Sequence, residues 1–127
     1  MNNQQRPVLI MAGGTGGHVY PALAVAKMLQ AQSVPVVGMG TRKGLEARVI
    51  PANNIAIEWL SIGGLRGKGK LTLLLAPLKL LLACWQALLI LRRVKPRCVL
   101  GMGGFVSGPG GLMAGLLNIP LVIHEQN

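Results

Sequence analysis

The segment Val8-Leu9-Ile10-Met11-Ala12-Gly13-Gly14-Thr15-Gly16-Gly17-His18 decides the fold. Five apolar residues between Pro7 and Gly13 make a continuous run of the kind found in a parallel strand buried on both faces. The glycines that follow end the strand sharply. Pro21 then suits the first turn of a helix, which Leu23, Val25, Ala26 and Leu29 carry to about Ala31. The run leads into glycines rather than a cleavage site, so it reads as a strand and not as a secretion signal.

The same alternation continues down the chain. Pro35–Met39 is expected to be a second strand, and Gly44–Ile50 a short helix stopped by Pro51 and Asn53-Asn54. Ile55–Ile62 follows as a third strand, Gly63–Lys70 as a glycine-rich basic loop, and Leu71–Arg93 as a long apolar helix. Arg97–Gly101 is a fourth strand, Ser107 to about Leu117 a fourth helix, and Leu121–His124 a fifth strand. This order predicts an α/β fold: a doubly wound, Rossmann-like parallel sheet with right-handed crossovers and helices on both faces. The 127 residues suffice for one layered domain. His124-Glu125-Gln126-Asn127 stands at the end of a core strand, and such a placement is expected of a longer protein.

Thirteen Lys and Arg against three Glu and no Asp give a formal charge of +10. That excess favours a polyanionic partner: a phosphorylated substrate, an anionic membrane or nucleic acid. Nucleic acid is the weakest of these, because aromatic stacking residues are scarce. Cys84 and Cys98 have neither metal-ligand nor disulfide-framework spacing, which fits a reducing compartment.

Gly13–His18 lies between a strand and a helix, where free amides and the helix dipole favour an anion. It is not a Walker loop, since His18 and Val19 stand where Lys and Ser or Thr would be. It is not a clean dinucleotide fingerprint either, and no acid ends the second strand. The second loop, Gly101-Met102-Gly103-Gly104-Phe105-Val106-Ser107-Gly108-Pro109, also opens a helix, with Ser107 expected as N-cap and Pro109 in the first turn. In a 3-2-1-4-5 strand order both loops flank the switch-point crevice and suit a pyrophosphate.

At these loops the chain resembles the MurG family of GT-B glycosyltransferases (family 28). Gly13–His18 with Pro21-Ala22-Leu23-Ala24, Leu65-Arg66-Gly67-Lys68-Gly69, Gly101–Pro109 and His124–Asn127 are similar to family segments in the same order. The resemblance implies that residues 1–127 form the N-terminal, acceptor-binding and membrane-associating half, without the C-terminal donor-binding domain. It also implies metal-independent, inverting transfer of GlcNAc from UDP-GlcNAc to undecaprenyl-pyrophosphoryl-MurNAc-pentapeptide, with no cofactor, at the cytoplasmic face of the bacterial inner membrane. By resemblance, Thr15, Gly16, Gly17 and Asn127 touch the donor. Gly14, Gly103, Gly104, Phe105, Ser107 and His124 serve the acceptor, with Glu125 beside His124. Phe105 stands where the family pattern has Tyr, so a polar role there is in doubt.

Inverting transfer needs a base for the acceptor hydroxyl and stabilisation of the departing pyrophosphate. His18 has a suitable ordinary pKa and a place at the crevice; the same residue could instead position the first helix or bond a substrate phosphate. Glu125 and His124 are the rivals for the base. Arg66, Lys68 and Lys70 would meet lipid headgroups or acceptor phosphates, or simply form a solvated loop.

In the long helix Thr72, Lys79, Gln86 and Arg93 recur every seven residues as one narrow polar stripe. Leu74, Leu78, Leu81, Trp85 and Leu88 lie nearly opposite. A transmembrane span, a fully buried core helix and peripheral docking on an anionic leaflet all compete here; the wide apolar face bordered by basic residues favours docking. Two other functional classes stand beside the transferase: a non-catalytic membrane anchor for a split GT-B enzyme, and an NADP-binding oxidoreductase using Thr41-Arg42-Lys43.

Overall fold

The computed structural model describes residues 6–61, 70–104 and 106–124. The elements are β1 (Val8–Ala12), α1 (Gly16–Ala31), β2 (Val36–Thr41), α2 (Glu46–Ala52), β3 (Ala56–Leu60), α3 (Lys70–Val94), β4 (Cys98–Gly103), α4 (Ser107–Leu116) and β5 (Leu121–Ile123). The strands pair in parallel in the order β3-β2-β1-β4-β5, the order expected from the sequence. β1 is central, and all five of its residues are buried. Val8, Ile10 and Ala12 pack with Val19, Ala22 and Ala26 of α1 and Ile50 of α2. Leu9 and Met11 point the other way, into Ala87, Ile90 and Leu91 of α3 and Ala114 of α4. Alternation along one strand therefore builds two cores at once, and each fully buried large side chain contributes about 1.5–3 kcal/mol.

Several boundaries differ from the expected ones, each for a local reason. α1 begins at Gly16, inside the glycine loop, because the Thr15 carbonyl already accepts the N–H groups of His18 (3.1 Å) and Val19 (3.0 Å). Pro21 thus sits in the second turn rather than the first. α2 passes through Pro51 and ends at Ala52, and the Asn53 side chain closes that end by donating to the Val49 carbonyl at 2.7 Å. β4 runs past Gly101 to Gly103. Met11 pairs with Gly101 but Ala12 with Gly103, so Met102 is an extra residue that bulges the strand toward the crevice. Val106, not Ser107, is the N-cap of α4.

α3 divides into two halves. Ala83, Ala87, Ile90 and Leu91 are buried against the sheet and α4, whereas Leu73–Leu82 is largely exposed. The fully buried reading of this helix therefore fails. By length and composition Leu73–Val94 could cross a membrane, yet it is also the crossover between two strands of one parallel sheet. Two members of the polar stripe meet β3 and its end: Ser61 N–H donates to Gln86 Oε1 at 3.0 Å, Gln86 Nε2 donates to Ser61 Oγ at 2.9 Å, and Arg93 pairs with Glu58.

Candidate functional site

In a parallel sheet, the loops that follow β1 and β4 emerge at the same end. Here they touch. Gly13 N–H donates to the Gly103 carbonyl at 3.3 Å, and His18 Nδ1 lies 3.2 Å from the Met102 carbonyl. A carbonyl only accepts, so this bond keeps a proton on Nδ1 and leaves Nε2 as the free acceptor of a neutral imidazole. The bulge at Met102 is what presents that carbonyl to the ring.

Gly103 makes this contact possible. Its φ is +120°, and a Cβ there would overlap the His18 ring. Gly103 N–H donates to Ser107 Oγ at 3.1 Å, so the hydroxyl expected to cap α4 instead holds the end of β4. The hydroxyl oxygen is the acceptor here, so its own proton is not used in this bond.

The other predicted residues divide by where their backbone groups point. Gly16 and Gly17 open α1, and first-turn amides have no partner within their own helix. With Thr15 they form the positive end of that helix dipole. Gly14 is different. Its N–H donates to Glu46 Oε1 at 3.1 Å and its carbonyl accepts from Leu45 N–H at 3.4 Å, so both groups face α2 and no free amide remains for an acceptor. His124 is exposed at the same end of the sheet, with its N–H on the Gly101 carbonyl at 2.8 Å. Phe105, Glu125 and Asn127, together with Arg66 and Lys68, lie outside the described residues.

Glu46 is the feature that sequence reasoning missed. It is only 1% exposed, and its carboxylate also accepts from Thr41 N–H (2.9 Å) and Thr41 Oγ1 (3.3 Å). The acid absent from the end of the second strand therefore arrives five residues after Thr41. Gly13, Gly40 and Gly44 surround it, and a Cβ on Gly13 would fall 2.9 Å from Oε2. A cluster of glycines around one acid was the available signal. Thr41 is thereby engaged, and the Arg42 guanidinium sits over the Trp59 ring at 4.6 Å, so neither is laid out for a 2′-phosphate.

On the flank of the crevice, Leu74, Leu78, Leu81 and Trp85 are 74%, 54%, 68% and 58% exposed. Their spacing places them on one side of α3, away from the buried alanines. Because α3 follows β3, its exposed first half begins at the end of the sheet that carries the glycine loops.

Comparison with known proteins gives the family and the fold. Residues 8–127 match the glycosyltransferase family 28 N-terminal domain. The UDP-N-acetylglucosamine--N-acetylmuramyl-(pentapeptide) pyrophosphoryl-undecaprenol N-acetylglucosamine transferase of Methylococcus capsulatus is 64% identical over 122 residues, covering 96% of this chain and 34% of the relative. The protein of the same name from Nitrosococcus oceani is 68% identical over 120 residues, covering 94% and 33%. The crystal structure of Acinetobacter baumannii MurG superposes with a TM-score of 0.82 at 47% identity, over 96% of this chain and 35% of that one. The chain spans about a third of the length of these relatives.

Proposed function

The chain belongs to the glycosyltransferase family 28 N-terminal domain family, and from that premise we propose that it forms the acceptor-side half of a transferase of peptidoglycan synthesis. The reaction moves GlcNAc from UDP-GlcNAc to an undecaprenyl-pyrophosphoryl-MurNAc-pentapeptide. The observation that carries this reading is the contact between the two glycine loops, which brings His18 and the first-turn amides of α1 to one crevice.

His18 Nε2 takes the proton of the acceptor hydroxyl as that oxygen attacks the anomeric carbon from the face opposite UDP. The C–O bond to UDP breaks, the diphosphate leaves with the bonding pair, and the configuration inverts. Thr15, Gly16 and Gly17 offer amides and a helix dipole to the negative charge that develops. Ser107 and the Gly103-Gly104 turn hold the acceptor pyrophosphate. The exposed apolar side of α3, with Lys79 on the same helix, rests on the anionic cytoplasmic leaflet and brings the crevice to a lipid-linked substrate. By itself the chain is expected to give no turnover, because the donor-binding half of such enzymes is the other domain.

A chimera tests the reading. This chain replaces the corresponding third of the Nitrosococcus oceani relative, and transfer of radiolabelled GlcNAc to a lipid-linked acceptor is measured. Turnover at the relative's own rate is expected, as is a roughly 100-fold or greater loss in kcat for His18→Ala. A folded chimera without turnover would overturn the proposal, and a fully active His18→Ala variant would remove the histidine from the base role.

A further inference from the structure

Glu46 lies beneath the crevice and touches nothing that enters it, yet its carboxylate is bonded to the loop that forms the crevice floor. We infer that Glu46 is a positioning residue for the reaction proposed above. It fixes the Gly13-Gly14 backbone from below, so that the next residues present their amides, and His18 its ring, toward the substrates.

A buried carboxylate is stable only when its oxygens are fully bonded. Here Oε1 takes Gly14 N–H and Oε2 takes both donors of Thr41, with the side chain 99% removed from solvent by the 1% exposure that remains. Thr41 ends β2, a neighbour of β1 in the sheet, and is therefore a rigid reference point. The carboxylate thus ties the first glycine loop to the end of the adjacent strand. Gly14 has φ +91°, a conformation a free chain has little reason to hold. Leu45 N–H on the Gly14 carbonyl adds a second tie from the same segment. With Gly14 turned inward, its amide is withheld from ligands and the amides of Thr15, Gly16 and Gly17 are left to face outward. Glycines at 13, 40 and 44 make the space in which the carboxylate reaches all three donors.

Glutamine at this position is nearly the same size but has one carbonyl oxygen and one NH2 group. One oxygen cannot accept from both Gly14 and Thr41, and the NH2 group would face a donor. In Glu46→Gln the Gly14 amide is expected to exchange with solvent about tenfold faster by NMR, while Leu9 and Val99 stay protected. In the chimera, kcat is expected to fall roughly 10- to 100-fold at a temperature where the protein is fully folded, because the reacting groups are misplaced rather than lost. Glu58→Gln is the control, expected to change neither readout. Unchanged Gly14 exchange, or unchanged kcat and KM, in Glu46→Gln overturns the inference. If Glu46→Gln does not fold, Thr41→Val decides. It removes one donor to the carboxylate; faster Gly14 exchange with lower kcat supports the inference, and wild-type values of both overturn it. The exchange measurement needs no transferase activity, so an inactive parent chimera would defeat the functional proposal while leaving this one decided by NMR.

Discussion

The imidazole of His18 lies against Gly103, whose α-carbon has no room for a side chain and whose φ of +120° suits none. Alanine at 103 would therefore strain the backbone and push the ring off the Met102 carbonyl together. Gly103→Ala is expected to destabilise the domain by about 1–3 kcal/mol in urea unfolding. It should also shift the His18 ring resonances in NMR. Wild-type stability with an unmoved ring would show that the close approach is not present in solution.

Replacing Leu78, Leu81 and Trp85 with Ser changes side chains that are more than half exposed. Each substitution is expected to alter stability by no more than about 0.5 kcal/mol. Flotation with anionic vesicles should nevertheless be lost. Undiminished flotation of the folded triple variant would mean that another surface meets the membrane.

Arg93 pairs with Glu58, but its side chain is 68% exposed. Water and salt screen such a pair, so Arg93→Ala should cost no more than about 1 kcal/mol. A larger loss in thermal or urea unfolding would show that α3 depends on this tie to β3.

Burial pushes the Cys98 thiol above its usual pKa, and the Arg97 guanidinium offsets this in part. At neutral pH the thiol is therefore the form present, and alkylation by iodoacetamide should be slower than for a free cysteine. The sign of the linkage is fixed. Above the ordinary thiol pKa the unfolded chain releases this proton while the folded chain retains it, so stability is independent of this group at lower pH and falls as pH rises from the unfolded pKa through the folded one. Cys98→Ser should flatten the alkaline decline in stability measured by urea unfolding from neutral to alkaline pH. An identical decline in the variant would exclude the thiol as a cause.

The strand order was legible because each strand is a short apolar run closed by glycine, proline or asparagine, and β1 is uniformly apolar for its central place. That the two loops flank one crevice followed from that order; that they touch depends on the Met102 bulge and on Gly103. Glu46 was not legible: it stands in the first turn of a short helix, where an acid ordinarily faces water. It is surrounded by Gly40 and Gly44 close by in sequence and by the Gly13-Gly14 loop, which only the fold brings near. Pro51 misled in the opposite direction, because a helix as short as α2 loses little by carrying a proline in its last turn. The seven-residue stripe on α3 was visible, but periodicity does not say which neighbour a stripe will find. Gln86 and Arg93 found β3.

The hydrogen bonds joining Gly13 to Gly103, and His18 to Met102, make one mechanical part of two segments some ninety residues apart. Stiffening either segment by occupancy lowers the entropy left for the other to lose. Whatever binds first at one loop is then expected to raise the affinity of whatever binds second at the other, and by reciprocity the same factor applies in reverse order. Cooperation between two substrates would then need no moving lid, only a shared seam.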